Sequence, residues 1–204
     1  MEPAKWNWRA LGVMATACAL AGAAFAQAPS GQKPESTPQA APSSAAHAAK
    51  AEPPQQTMAP RAGEYTRVIQ FVNAAGPQGP PSLGTSKISV ILDGHFLLEE
   101  NSDVVFGKPV HGMRIYGYNN ATGNYEAAWM YTLSNAILML TGSSNDGGKT
   151  VDYSGESATA DGEKLTLRAH FRQVDADQFV ITIANVGESG KEIPFQQTTY
   201  TRKK

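Results

Sequence analysis

From residue 63 onward, apolar and polar positions alternate with a period of two in a succession of short runs. The runs cover residues 64–72, 85–92, 95–106, 110–118, 125–133, 137–143, 149–156, 164–174, 178–186 and 193–202, and each predicts a β-strand. Between them stand Asp93-Gly94, the stretch from Asn119 to Gly123, the stretch from Asn145 to Gly148, Asp161-Gly162 and the stretch from Glu188 to Gly190. These residue types tolerate positive φ, so nearly every connection predicts a hairpin. No segment long enough for a crossover helix shows helical periodicity. The expectation is an all-β fold: an antiparallel, closed or nearly closed barrel of about ten strands, because closure removes exposed sheet edges.

The alternation also assigns faces. In residues 164–172 one face is Leu165, Leu167, Ala169 and Phe171, and the other is Lys164, Thr166, Arg168, His170 and Arg172, the signature of a half-buried strand. Tyr125, Ala127, Trp129, Tyr131 and Leu133 share a face, as do Phe179, Ile181 and Ile183. A barrel of eight to ten strands encloses either a filled core or room for one small ligand.

The first sixty residues differ. Residues 1–26 carry Lys5 and Arg9, an apolar stretch of roughly fifteen residues, and Ala24-Phe25-Ala26 before Gln27, which together predict a secretory signal peptide cleaved after Ala26. A cleaved chain would be periplasmic or secreted, with no predicted membrane span. The single cysteine, Cys18, lies in this leader, so the mature chain would have no thiol or disulfide. Residues 27–61 are rich in Ala, Pro, Ser and Gln and predict a disordered linker, leaving residues 62–204 as the barrel domain. Removing the leader takes Lys5, Arg9 and Glu2 from totals of 17 basic and 18 acidic residues. The resulting net charge of about −2 argues against a nucleic-acid partner.

A set of short motifs recurs in order along the domain: Gly94-His95-Phe96-Leu97 followed by Glu99-Glu100, then Gly107-Lys108-Pro109, Gly117-Tyr118-Asn119, Tyr125 and Trp129. A hairpin at Gly190-Lys191-Glu192 and a closing Thr199-Tyr200-Thr201-Arg202 complete it. Over about residues 63–203 the pattern resembles the bacterial domain of unknown function 1579 family. That resemblance implies a calycin-like or lipocalin-like barrel and carries no settled activity. His95 stands where the family usually has Arg, Asn119 where it usually has Asp, and Val90-Ile91-Leu92 lacks the tryptophan common before the glycines.

Candidate chemistry is sparse. His95, His111 and His170 fall on three strands without metal-ligand spacing, and His111 alternates with Met113 and Ile115 on a face that reads as buried. Glu99 and Glu100 point to opposite faces of one strand, and a solvated edge is expected for them and Asp103. Arg114 is in phase with Tyr116 and Tyr118, so an inward Arg114 would meet an anionic head group and would need Glu126 or Glu99 as partner; an exposed Arg114 packed on tyrosine is the competing expectation. The expected function is binding of a small apolar or amphipathic molecule inside the barrel, lined by Arg114, Tyr116, Tyr118, Trp129 and Tyr131. No catalytic residue, metal or cofactor is assigned. An enzyme using His95 or His111 as general acid or base, and a ligand-free envelope interaction module, are the alternatives.

Overall fold

The computed structural model describes residues 53–158 and 164–204. The predicted signal peptide, most of the predicted linker and the predicted Asp161-Gly162 turn lie outside the described residues. Within them the chain runs from a short helix α1 (Pro53–Met58) and a 3-10 turn (Ala59–Arg61) into β1 (Gly63–Asn73), β2 (Gly76–Pro77) and β3 (Ser82–Ile91). After a one-turn 3-10 helix (Leu92–Gly94) come β4 (Phe96–Val105), β5 (Lys108–Asn119), β6 (Asn124–Tyr131), β7 (Leu138–Ser143), β8 (Thr150–Ala158), β9 (Lys164–Gln173), β10 (Gln178–Val186) and β11 (Glu192–Arg202).

Every sequential neighbour from β3 to β11 pairs antiparallel, β1 pairs with β3, and β1 also pairs with β11, with Tyr65 opposite Arg202 and Phe71 opposite Gln196. Ten strands therefore close into a barrel with no free edge, and β2 is a small extra strand on β1. The predicted meander and strand number hold. Gly76–Pro77, between the first two predicted runs, pairs with Val72 and Asn73.

Alternation places the core. Leu167, Ala169 and Phe171 of β9, Val151 and Tyr153 of β8, and Phe179, Ile181 and Ile183 of β10 are buried, each large side chain contributing about 1.5–3 kcal/mol. Tyr65 packs edge-on to Phe179 at 5.3 Å, and Phe179 stacks on Tyr200 at 4.1 Å. Leu133, grouped with the β6 face from sequence, falls past the strand end and is exposed.

One end of the barrel is closed by α1 and the turn after it. Gln55 Nε2 donates to the Tyr118 carbonyl (3.1 Å) and to Asn120 Oδ1 (3.3 Å), and Met58 is buried in the core. Arg202 fixes the segment by donating to the carbonyls of Ala62 (2.6 Å) and Pro60 (2.7 Å). The folded unit thus starts by Pro53, inside the segment expected to be linker. Proline density argued against a helix there, but Pro53 and Pro54 occupy the first turn, where backbone N–H groups lack helical partners anyway.

Candidate functional site

Inward positions on six strands bring an ionic cluster to the middle of the barrel. Arg67 comes from β1, Ser86 from β3, Glu99, Asn101 and Asp103 from β4, Arg114 and Tyr116 from β5, Tyr131 from β6, and Tyr200 from β11. All but Tyr116 and Tyr131 are fully buried, and those two are largely so. Glu99, 1% exposed, is the hub: Tyr200 Oη donates to its Oε1 (2.9 Å), Ser86 Oγ to Oε1 (3.1 Å) and Tyr116 Oη to Oε2 (3.1 Å). Arg114 Nη1 lies 3.5 Å from Glu99 Oε2 and donates to Tyr200 Oη (2.7 Å), while its Nε donates to Tyr131 Oη (2.5 Å). The guanidinium also sits 4.6 Å over the Trp129 ring.

Arg67 pairs with Asp103, Nη1 to Oδ2 at 2.5 Å, and Asn101 Nδ2 donates to the same oxygen (2.7 Å). Room for that carboxylate comes from Gly84 on β3, where a Cβ would stand 1.8 Å from Asp103 Oδ1. Burial by itself would raise the Glu99 carboxyl, yet Arg114, Arg67 and the tyrosine hydroxyls outweigh it and hold it below its ordinary range. For Asp103 burial prevails over Arg67, and its carboxyl is pushed up. Two guanidinium groups thus face two carboxylates, and the centre is neutral overall.

The helix-closed end is different. Arg61 lies over the Phe171 ring, 3.9 Å to its centroid, and its Nη2 donates to the Gly148 carbonyl. Gly148 has φ +87°, and a Cβ there would meet Tyr125 Oη at 2.6 Å, so the carbonyl is presented by a backbone only glycine tolerates. Among the described residues no carboxylate lies within 4.0 Å of Arg61, and burial lowers its pKa. Beside it is an interior void of about 20 Å³, walled by Arg61, Glu99, Tyr116, Tyr153, Phe171 and Phe179 with neighbouring aliphatic side chains. That space holds one water-sized guest.

The outer surface carries two further features. A groove of about 710 Å³ crosses strands β3 to β6, with Lys87, Glu100, Ser102, His111, Met113 and Met130 among its walls. On the far side His170 bridges two acids, Nδ1 to Asp152 Oδ1 and Nε2 to Glu192 Oε2, both at 2.7 Å. Burial lowers its pKa, but the two carboxylates outweigh that and raise it overall. Among the described residues no group of three or more His, Cys, Asp or Glu is arranged to hold a metal ion. Nor is any helix long and apolar enough to cross a membrane.

Of the five lining residues named from sequence, Arg114, Tyr116, Trp129 and Tyr131 do converge. Tyr118 stands apart, edge-on to Tyr125 at 5.0 Å beneath α1. Arg114 is buried and not exposed, its partner is Glu99, and Glu126 is instead exposed and accepts from Asn119. Glu99 and Asp103, expected at a solvated edge, are core residues because the odd-numbered positions of β4 face inward with Leu97. His111 faces out, since Val110, Gly112 and Arg114 take the inward phase of β5; the apolar look of Met113 and Ile115 misled the reading. His111, one of the two histidines of the enzyme alternative, lies on the opposite face of the wall from Arg114. Sequence reasoning missed Arg67, Tyr153 and Tyr200, although the alternation of Tyr65, Arg67 and Ile69 could have marked Arg67 as inward. Arg61 had no signal.

A model of the family described as protein of unknown function (DUF1579) matches residues 50–202. No curated protein matches. Among solved structures, the chain is similar to an S-type phycobiliprotein lyase, CPES, from Guillardia theta, with TM-score 0.49, 10% identity, and coverage of 75% of this chain and 94% of that one. It is also similar to the barrel EF1p2_mFAP2b bound to DFHBI, with TM-score 0.39, 10% identity, and coverage of 74% and 100%. A redesigned β-barrel, b11L5F_LGL, gives TM-score 0.38, 11% identity, and coverage of 72% and 96%. Nothing about this chain's role follows from what those proteins bind.

Proposed function

Because the chain belongs to the DUF1579 family, whose function is unknown, its role has to be argued from its own geometry, and we propose that it is a barrel that binds a small amphipathic molecule at the helix-closed end of its interior. One observation carries this reading: a void walled by aromatic and aliphatic residues together with Arg61 and Glu99. Such a mixture of apolar wall and few convergent polar groups is what small-molecule sites share. Tyr116 lines this void, while Arg114, Trp129 and Tyr131 form the cluster beside it; Tyr118 supports α1. A ligand larger than one water enters by displacing α1 (Pro53–Met58), which is short and held by a handful of hydrogen bonds. Residues 1–26 read as a cleaved leader, so this binding would take place in the periplasm or outside the cell.

Titration of the purified protein with fatty acids and isoprenoids tests the reading through emission from Trp129, whose ring lies within the same interior. A saturable change is expected. No saturable response to any of them, with no small molecule retained in native mass spectrometry, would overturn it. One observation favours a second reading: the outer groove of about 710 Å³ is far larger than the interior void. On that reading the barrel is filled and acts through its outer face, and the same negative titration is its expected result.

A further inference from the structure

Three arginines of the described residues reach the interior, Arg61, Arg67 and Arg114, and two carboxylates, Glu99 and Asp103, answer them. Arg67 has Asp103 at 2.5 Å, and Arg114 has Glu99 at 3.5 Å. Arg61 has an aromatic face and one backbone carbonyl. A guanidinium carries five N–H donors, so its hydrogen-bonding capacity at the void is mostly unspent. A half-buried cation beside a void, with an aromatic face and no counter-ion, has an unanswered charge for an anion to meet.

We infer that the molecule taken up carries an anionic group, received by Arg61, on an apolar body that packs against Phe171, Phe179 and Tyr153. This rests on the interior-binding reading and narrows it to one ligand class: amphiphilic monoanions such as medium-chain carboxylates. Planar bidentate pairing of guanidinium with carboxylate is the favoured geometry for such a group, and one added negative charge brings three cations and three anions together in the barrel. Glu99 adds selectivity by charge number. Its carboxylate lines the same void, and it would repel a dianion more than a monoanion. The entrance is the end closed by α1. Met58 is the side chain of α1 sunk deepest into the core, 1% exposed, and its departure makes room for an apolar chain.

The test compares decanoate with its neutral amide, decanamide, read by Trp129 fluorescence and thermal shift on the wild-type protein, R61Q, R61K and M58A. Wild type is expected to bind decanoate about tenfold more tightly than the amide, the value of one charge-assisted hydrogen bond. R61Q is expected to lose that preference with its barrel intact by circular dichroism, and R61K to keep part of it, since it retains the charge without the bidentate fork. M58A is expected to bind decanoate more tightly, and supplies the readout if R61Q fails to fold. Equal binding of acid and amide by wild type overturns the anionic class while leaving interior binding standing. A preference that survives in R61Q overturns the role of Arg61, and unchanged or weaker binding by M58A overturns entry past α1. Binding of neither compound removes the interior-binding reading itself and this inference with it.

Discussion

The centre of the barrel buries two arginines and its helix-closed end half-buries a third, Arg61, but they keep them in opposite company. At the centre each guanidinium has a carboxylate, Arg114 also donates to the hydroxyls of Tyr131 and Tyr200, and the group of Arg67, Glu99, Asp103 and Arg114 is matched in charge, although Arg67 Nε, Asn101 Oδ1 and Asp103 Oδ1 are buried without a hydrogen-bond partner. At the closed end Arg61 has a ring, a carbonyl and a void. A cluster whose charges already match holds strands together without needing a ligand's charge. An unsatisfied cation beside open space is where a ligand gains. The contrast moves the candidate site away from Arg114, which sequence alone favours, to Arg61.

The largest way to break the comparison is Glu99→Gln. It leaves Arg67 and Arg114 with Asp103 as their remaining acid, and a loss of about 3–5 kcal/mol in urea unfolding is expected, the usual cost of breaking a buried ion cluster by removing one partner. A loss under about 1 kcal/mol would mean that the centre is not the clamp described here. Next is Gly84→Ala, whose Cβ would stand 1.8 Å from Asp103 Oδ1 and 2.9 Å from the Ser102 carbonyl oxygen. Pushing Asp103 off Arg67 is expected to lower stability by about 1–3 kcal/mol, and Asp103→Asn in the same background should recover none of it.

Arg61→Met sharpens the contrast from the other side. Replacing an uncompensated cation by an apolar chain of similar length is expected to change urea stability by no more than about 1 kcal/mol in either direction. If it costs as much as Glu99→Gln, the two ends are alike and the distinction is lost. The smallest effect is expected outside the barrel, at His170. Its folded-state pKa is raised above the ordinary value near 6.5, so its stabilisation is complete below that pH and fades as pH rises through the folded-state value. His170→Gln is therefore expected to lower the melting temperature more in mildly acidic than in mildly alkaline buffer. An equal drop in both would show that proton binding contributes nothing at this bridge.

How much of this could be read in advance differs element by element. In β9 the alternation of Leu167, Ala169 and Phe171 with Arg168 and Arg172 was unambiguous, and the strand lies as expected. In β5 both alternating sets looked inward, one aliphatic with His111 and one aromatic with Arg114, and a strand can bury only one of them in a barrel. The aromatic set won because Glu99, directly opposite on β4, Tyr131 on β6 and, across the interior, Tyr200 on β11 receive Arg114. Those partners lie on three other strands, Tyr200 being 101 residues from Glu99 along the chain. For α1, proline content hid a helix that exists because it covers a barrel end.

The sequence by itself determined the number, direction and spacing of the strands, since period-two alternation and turn residues act over a few neighbouring positions. Closure decided the rest: which face of β5 went inward, which acid met which arginine, and that Arg61 was left without one. Glu99 and Arg114 are neighbours across one hairpin, but Arg67, Asp103, Tyr200 and Arg61 come together from strands and a turn far apart in the chain, in a space that excludes water, and no local pattern encodes such a meeting.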